Sequence, residues 1–246
     1  FLIGGDLLGQ LIATSFAIEE LQIPLLGVFG ACSTMGESMA IGAMLVDGGY
    51  ADKTIAITSS HFASAEKEFR FPMGYGNQRA LSASWTVTGS GAVIISNEPS
   101  AKKDTNIRIK GATIGKIVDY GIKDNMNMGA AMAPAASNTI KQNLKDLNLQ
   151  PSYYDLIITG DLGHIGSEIL IDLLKQEGFD ISKNHMDCGI EIYDRQTQDT
   201  HAGGSGCACC AITLTAYILK KLQQKEWKRV LFVPTGALLS KVSFNE

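Results

Sequence analysis

The stretch GVFGACSTMGESMAIGAML, residues 27–45, decides how this chain is read. An apolar run over residues 24–29 ends in Gly-Ala-Cys-Ser, and apolar residues then recur at helical spacing over residues 34–47. A strand that turns through small residues into a helix presents the turn side chain, here Cys32, at the helix N-terminus. Unpaired N–H groups and the positive end of the helix dipole favour an anion there, either a thiolate or a bound carboxylate. Such a place lowers a cysteine pKa and raises its reactivity. The same turn also suits a small buried cysteine, because free cysteine is among the most buried residue types.

Outward from this turn, short β-branched runs alternate with longer helical patterns. Strands are expected over 1–3, 24–29, 54–58, 85–96, 107–117, 155–159, 188–193 and 229–234. Helices are expected over 8–21, 34–47, 130–147, 165–176 and 207–224. The strands read as continuous apolar runs, which predicts an α/β architecture with a largely buried sheet. The polar, turn-rich NEPSAKKDTN (97–106) is the expected junction between a first half, 1–100, and a second half, 107–246.

The two halves repeat each other. LIGGDLLGQLIATSFAIEEL from Leu2 aligns with IITGDLGHIGSEILIDLLKQ from Ile157, so Gly5-Asp6-Leu7 corresponds to Gly160-Asp161-Leu162. FGACSTMGESMAIGAMLVDGGYADKTIAITSS resembles GSGCACCAITLTAYILKKLQQKEWKRVLFVPTG in the same order of turn, cysteine, helix, basic turn and strand. The second half has a strand and helix before its Gly-Asp-Leu that the first half lacks. The first half closes on WTVTGSGAVIIS, which the second lacks. The repeat therefore predicts a fragment, missing part of the N-terminal half and the last C-terminal strand.

Bulk properties exclude several classes. With 246 residues, 45% hydrophobic and 19% charged, the chain is globular. A net charge of −4 leaves no electrostatic footprint for nucleic acid. No apolar run approaches the roughly 18 residues of a membrane span, and no signal-peptide pattern is seen, so membrane contact is expected through partners. The five cysteines, Cys32, Cys188, Cys207, Cys209 and Cys210, make a poor disulfide framework and suit a reducing interior. Cys207-Ala208-Cys209 has the wrong spacing for zinc, and no metal or cofactor is expected.

The duplicated α/β half, the ACS that opens its helix and the later TVTGSGAVII resemble the thiolase and ketoacyl-synthase superfamily, the ketoacyl-ACP synthase III type included. The resemblance implies a thiolase-like duplicated αβαβα layered fold with Cys32 at the acyl-accepting position. It also implies a homodimer paired partly through the strand TIAITSS. FGACSTM, MLVDGGYADKTIAITSSH, EFRFPMGYGNQR, NMGAAMAPAA, YDLIITGDLG and HAGGSGCACCA are closer to one branch, the stage V sporulation proteins of spore-forming bacteria. That resemblance implies a protein of the spore that binds dipicolinic acid, free or as its calcium salt. It implies action with the SpoVA membrane proteins at the spore inner membrane, in loading the acid during sporulation and releasing it in germination.

Catalysis is expected to be disabled. Condensing enzymes of the superfamily need a His or Asn from the second-half turn and another before the last long helix. Here Gly160 or Asp161 stands at the first position and Gly203 or Gly204 at the second. A carboxylate there disfavours a nearby thiolate. Cys32 is then a vestigial nucleophile, and the expected ligand-binding set is Cys32, Ser33, His61, Arg70, Asp161, Gly204, Ser205 and Cys207. Two helix N-termini would aim at one cleft whose glycines admit a planar dianion. Each residue has a plainer reading: His61 and Arg70 as solvated loop residues, Asp161 as a turn cap, Cys207 as core. Arg79 and the aromatics Phe69, Phe71 and Tyr75 share the Arg70 loop, His164 and His201 sit in polar loops, and His185 ranks below them. The competing readings are an acyl-CoA- or acyl-carrier-dependent acyltransferase or condensing enzyme using Cys32 with His61 or His164 as base, and a scaffold that only bridges membrane subunits.

Overall fold

The computed structural model describes residues 1–8, 11–62, 80–98, 107–237 and 239. The first sheet has the order β2-β1-β3-β5, with β1 Leu2–Asp6, β2 Leu25–Gly27, β3 Lys53–Ser60 and β5 Gly89–Ser96. Its first three strands are parallel and β5 runs antiparallel to β3. The second sheet, β7-β6-β9, is parallel throughout, with β6 Leu156–Thr159, β7 His185–Asp187 and β9 Val230–Val233. The strand order β2-β1-β3 of the first sheet recurs as β7-β6-β9 in the second. A short parallel ladder of β4 (Trp85–Thr86) with β8 (Gly204–Ser205) ties the two halves together.

Side-chain alternation sets the layers, because successive strand residues point to opposite faces. In β6, Leu156 and Ile158 share one core with Ala56 of β3, with Met35 of helix α2 (Thr34–Asp47) and with helix α6 (Cys207–Thr213). Ile157 turns the other way, into a core built by α3 (Met128–Asp146) and α4 (Gly163–Gln176). Helix α1 (Ile12–Ile18) covers the remaining face of the first sheet. Its Thr14 bonds Asp6, whose register partner Ser59 points away from the Ala56 face. The result is helix, sheet, helix, sheet, helix, with α2 and α6 in the middle layer.

Several elements differ from expectation for local reasons. Residues 107–117 form no strand: they pair with no strand among the described residues, and Ile117 is 98% exposed. The segment instead touches α3, where Asn143 Nδ2 donates to Thr113 Oγ1. Residues 188–193 are not a strand either. Asp187 accepts from the N–H groups of Gly189 and Ile190 and so caps a short helix, α5 (Cys188–Glu191). The helix expected over 207–224 is α6, a π turn over Leu214–Ile218, and α7 (Leu219–Gln223). The strand TIAITSS is no sheet edge: β3 lies between β1 and β5, so its backbone groups are already used and a dimer cannot pair through it.

The small-residue stretch NMGAAMAPAA packs one helix closely on another. A Cβ on Gly129 would lie 2.3 Å from the carbonyl oxygen of Leu162, and one on Gly166 would lie 2.8 Å from the Cα of Gly129. Both are backbone contacts that no rotamer change relieves. Gly129→Ala is expected to push α3 off α4 and cost about 1–3 kcal/mol in a urea unfolding curve. An unchanged midpoint would mean that the helices part freely.

Candidate functional site

The site is built from three strand-to-helix turns. After β2, the chain enters a 3₁₀ turn, Ala31–Ser33, with Ala31 in the left-handed region at φ 52. This tight turn feeds directly into α2 and buries Cys32, which is only 4% exposed. After β6, Gly160-Asp161 turns into α4. After β8, Gly206, with φ 104, turns into α6. Its φ and the Ser60 Oγ 3.0 Å from where a Cβ would stand both call for glycine.

Four of the expected residues meet here. Asp161 Oδ2 accepts from Ser205 Oγ at 2.9 Å and from the Gly206 N–H at 3.0 Å. The Cys32 thiol lies against the same carboxylate. Cys207 donates its thiol to the Ala31 carbonyl at 2.9 Å. Burial holds the Cys32 pKa well above its ordinary value, and the Asp161 charge and the nearby Cys207 raise it further; only the Gly206 N–H pulls the other way. No histidine is among the groups that set this titration. The helix N-terminus therefore does hold an anion, but that anion is Asp161 of the chain itself. Ser60 Oγ accepts another N–H of the first turn of α6, that of Ala208, at 2.9 Å.

The remaining candidates lie apart. Ser33 Oγ sits 2.6 Å from the Gly30 carbonyl and 2.5 Å from Glu37 Oε1, a local turn contact. Gly204 leaves no open slot, since a Cβ there would meet Ile192 at 2.6 Å and Val87 at 3.0 Å. His61 lines a cavity of about 430 Å³ at the ends of β1 and β3, together with Asp6, Ser59, Ser60 and Ser90. Cys32 is in neither of the two cavities described. Arg70 falls outside the described residues, as do Arg79, Phe69, Phe71 and Tyr75. His201 is held by Ala80 and Asp199. Burial lowers the pKa of His164, and Arg195 adds to the effect. His185, pushed down to about 4 by burial, bonds Thr159.

Sequence reasoning missed Asp187. Its carboxylate accepts from Thr159 Oγ1 and from the N–H groups of Leu162, Gly163, Gly189 and Ile190, at 2.6 to 3.3 Å. It thereby locks the turn that carries Asp161 to the start of α5. Burial pushes its carboxyl up to about 6, with Asp161 adding to the rise and the bonds from Thr159, Gly163 and Leu162 opposing it. The signal available was an Asp directly before Cys-Gly, an N-cap pattern.

Two layered sheets with a helix pair between them, and a cysteine at the head of the central helix, define the thiolase-like fold of the condensing enzymes. Solved structures agree. The 3-oxoacyl-[acyl-carrier-protein] synthase III of Aquifex aeolicus VF5 matches with a TM-score of 0.57 at 12% identity, over 96% of this chain and 73% of that one. A point variant of OleA from Xanthomonas campestris matches with a TM-score of 0.63 at 17% identity, over 95% of this chain and 70% of that one. Within that fold the chain belongs to the stage V sporulation protein AD (SpoVAD) family, which matches residues 1–246. It is 50% identical over 239 residues to stage V sporulation protein AD of Bacillus subtilis (strain 168), covering 97% of this chain and 69% of that protein.

Proposed function

We propose that this chain is a non-catalytic binding protein for dipicolinic acid, free or as its calcium salt, acting with SpoVA membrane proteins in sporulation and germination. The observation that carries the non-catalytic part is the Asp161 carboxylate against the Cys32 thiol. A buried like charge opposes the thiolate that acyl transfer requires, and no histidine relieves it. Membership of a sporulation family supports the biological setting. No helix of the described residues is long and apolar enough to cross a membrane, so the reading places the chain peripherally, beside partners that span the inner membrane.

For the ligand, the cavity beside His61 is the better place than the closed cysteine turn. Its volume of about 430 Å³ falls within the roughly 300–1,000 Å³ of small-molecule sites. His61 and the hydroxyls of Ser59 and Ser90 can donate to carboxylates, while Asp6 is already bonded to Leu8 and Thr14, and Ser60 to Val87 and Ala208. Calorimetry with dipicolinate, with and without calcium, tests this. Saturable heat is expected from the parent and from Cys32→Ala, with at least about tenfold weaker binding in His61→Ala, the worth of one charge-assisted hydrogen bond. No heat at millimolar ligand rejects the reading. Incubation with acyl-CoA followed by mass spectrometry is expected to add no mass at Cys32, and a stable adduct would make the chain an acyltransferase.

A further inference from the structure

The C-terminal parts of α3, α4 and α7, with the loops that follow them into β6, β7 and β9, carry a charge excess that the ligand reading leaves unused. Over residues 141–155, 175–185 and 220–229, eight lysines and one arginine stand against five carboxylates, in a chain whose net charge is −4. The loops before β2 and β3, over 19–24 and 47–53, show the opposite balance, with four carboxylates and one lysine.

These loops form one rim. Asn184 Nδ2 donates to the carbonyls of Pro151 and Tyr154, and the N–H groups of Lys228 and Arg229 donate to Asp155. Three of the five carboxylates each sit between two cations. Glu177 pairs with Lys141 at 2.7 Å and lies near Lys145, Asp180 lies near Lys175 and Lys183, and Asp155 lies near Arg229 and Lys228. Glu226 pairs with Lys221 at 2.7 Å, and nine cations against five carboxylates still leave the rim positively charged.

The kind of cation points to the partner. Planar, two-pronged recognition of a particular phosphate or carboxylate uses arginine, whereas lysine is a mobile point charge. The one arginine, Arg229, is spent over the Tyr153 ring at 4.4 Å. Leu147, 56% exposed, and Tyr153, 40% exposed, rise from the same loops and offer apolar and aromatic surface at headgroup depth. We propose that this lysine-rich rim docks the chain directly on a bilayer bearing anionic headgroups. It names the surface behind the peripheral placement above and rests on that reading for nothing but the membrane setting.

Sedimentation of the whole chain with phosphatidylglycerol–phosphatidylcholine vesicles, with no dipicolinate present, tests it. Binding is expected at low salt and not to phosphatidylcholine alone, and it should fade as salt screens the charges. A lysine or arginine at such a surface is worth about fivefold in affinity, so Lys145→Gln, Lys183→Gln and Lys225→Gln together should weaken binding about a hundredfold. A control carrying Lys123→Gln and Arg195→Gln, which lie by the N-terminal ends of α3 and α4 at the opposite end of the sheet, should bind as the parent does. Heat on adding dipicolinate should be the same in the rim variant, so that failure of the docking surface and failure of the ligand reading are told apart. No sedimentation with anionic vesicles overturns the proposal, as does a rim variant that binds like the parent. Capture by soluble polyglutamate without vesicle binding would overturn it in favour of an acidic protein partner.

Discussion

Asp187→Ala is expected to cost about 3–5 kcal/mol of stability, because five hydrogen-bond donors lose one buried acceptor at once. Thr159, Leu162, Gly163, Gly189 and Ile190 all converge on this carboxylate. A urea denaturation midpoint reads the loss. Asp187→Asn keeps the shape and one acceptor, so its loss should be smaller, and it also exposes the pH linkage. The native carboxyl titrates at about 6, above the roughly 4 of an unfolded aspartate. Between these values the native state binds a proton that the unfolded chain does not. The Asp187 contribution is thus fully present below pH about 4, and it is lost as pH rises to about 6, by about 3 kcal/mol over two units. Carboxyls with lowered pKa, such as Asp155 and Asp180, work in the opposite direction. The difference between parent and Asp187→Asn isolates the one group. A difference that stays constant from pH 4 to 6 would show that the five donors hold Asp187 ionised throughout.

Asp161→Asn should awaken the thiol. The amide retains an oxygen for Ser205 and the Gly206 N–H but removes the charge that opposes the Cys32 thiolate. Burial still holds the thiol pKa up, but without the neighbouring charge it falls and the thiolate population at a fixed pH rises. Iodoacetamide labelling at pH 8, counted at Cys32 by peptide mass spectrometry, should therefore quicken severalfold. Cys32→Ala in the same background supplies the blank. An unchanged rate would assign the inertness of this cysteine to burial alone and weaken the case that Asp161 disarms it.

Much of the fold was legible because the repeat is written twice in the same order. Gly5-Asp6-Leu7 and Gly160-Asp161-Leu162 do fall at the ends of β1 and β6, and Cys32 and Cys207 do head the two central helices. The site was legible only as a neighbourhood. Cys32, Asp161, Ser205 and Cys207 converge, as the turns predict. A sequence does not say, however, whether donors at a helix N-terminus are free, and here Asp161 and Ser60 had already taken those of α6. The glycines of AGGSG misled for a related reason: the missing side chains make room for Ile192, Val87 and the Gly189 backbone rather than for a ligand. The strand reading failed at residues 107–117 because a β-prone run becomes a strand only where a neighbour supplies hydrogen bonds. It failed at 188–193 because a single capping side chain outweighed an apolar run too short to choose for itself.

All five cysteines are unbridged and buried, and this bears on endurance. Oxidation and electrophilic damage begin at exposed thiolates, and this chain offers neither the exposure nor, at Cys32, Cys188, Cys209 and Cys210, the ionised form. A protein built this way needs no reductant and no cross-link to keep its thiols in one chemical form through long storage, a useful property in a family of sporulation proteins.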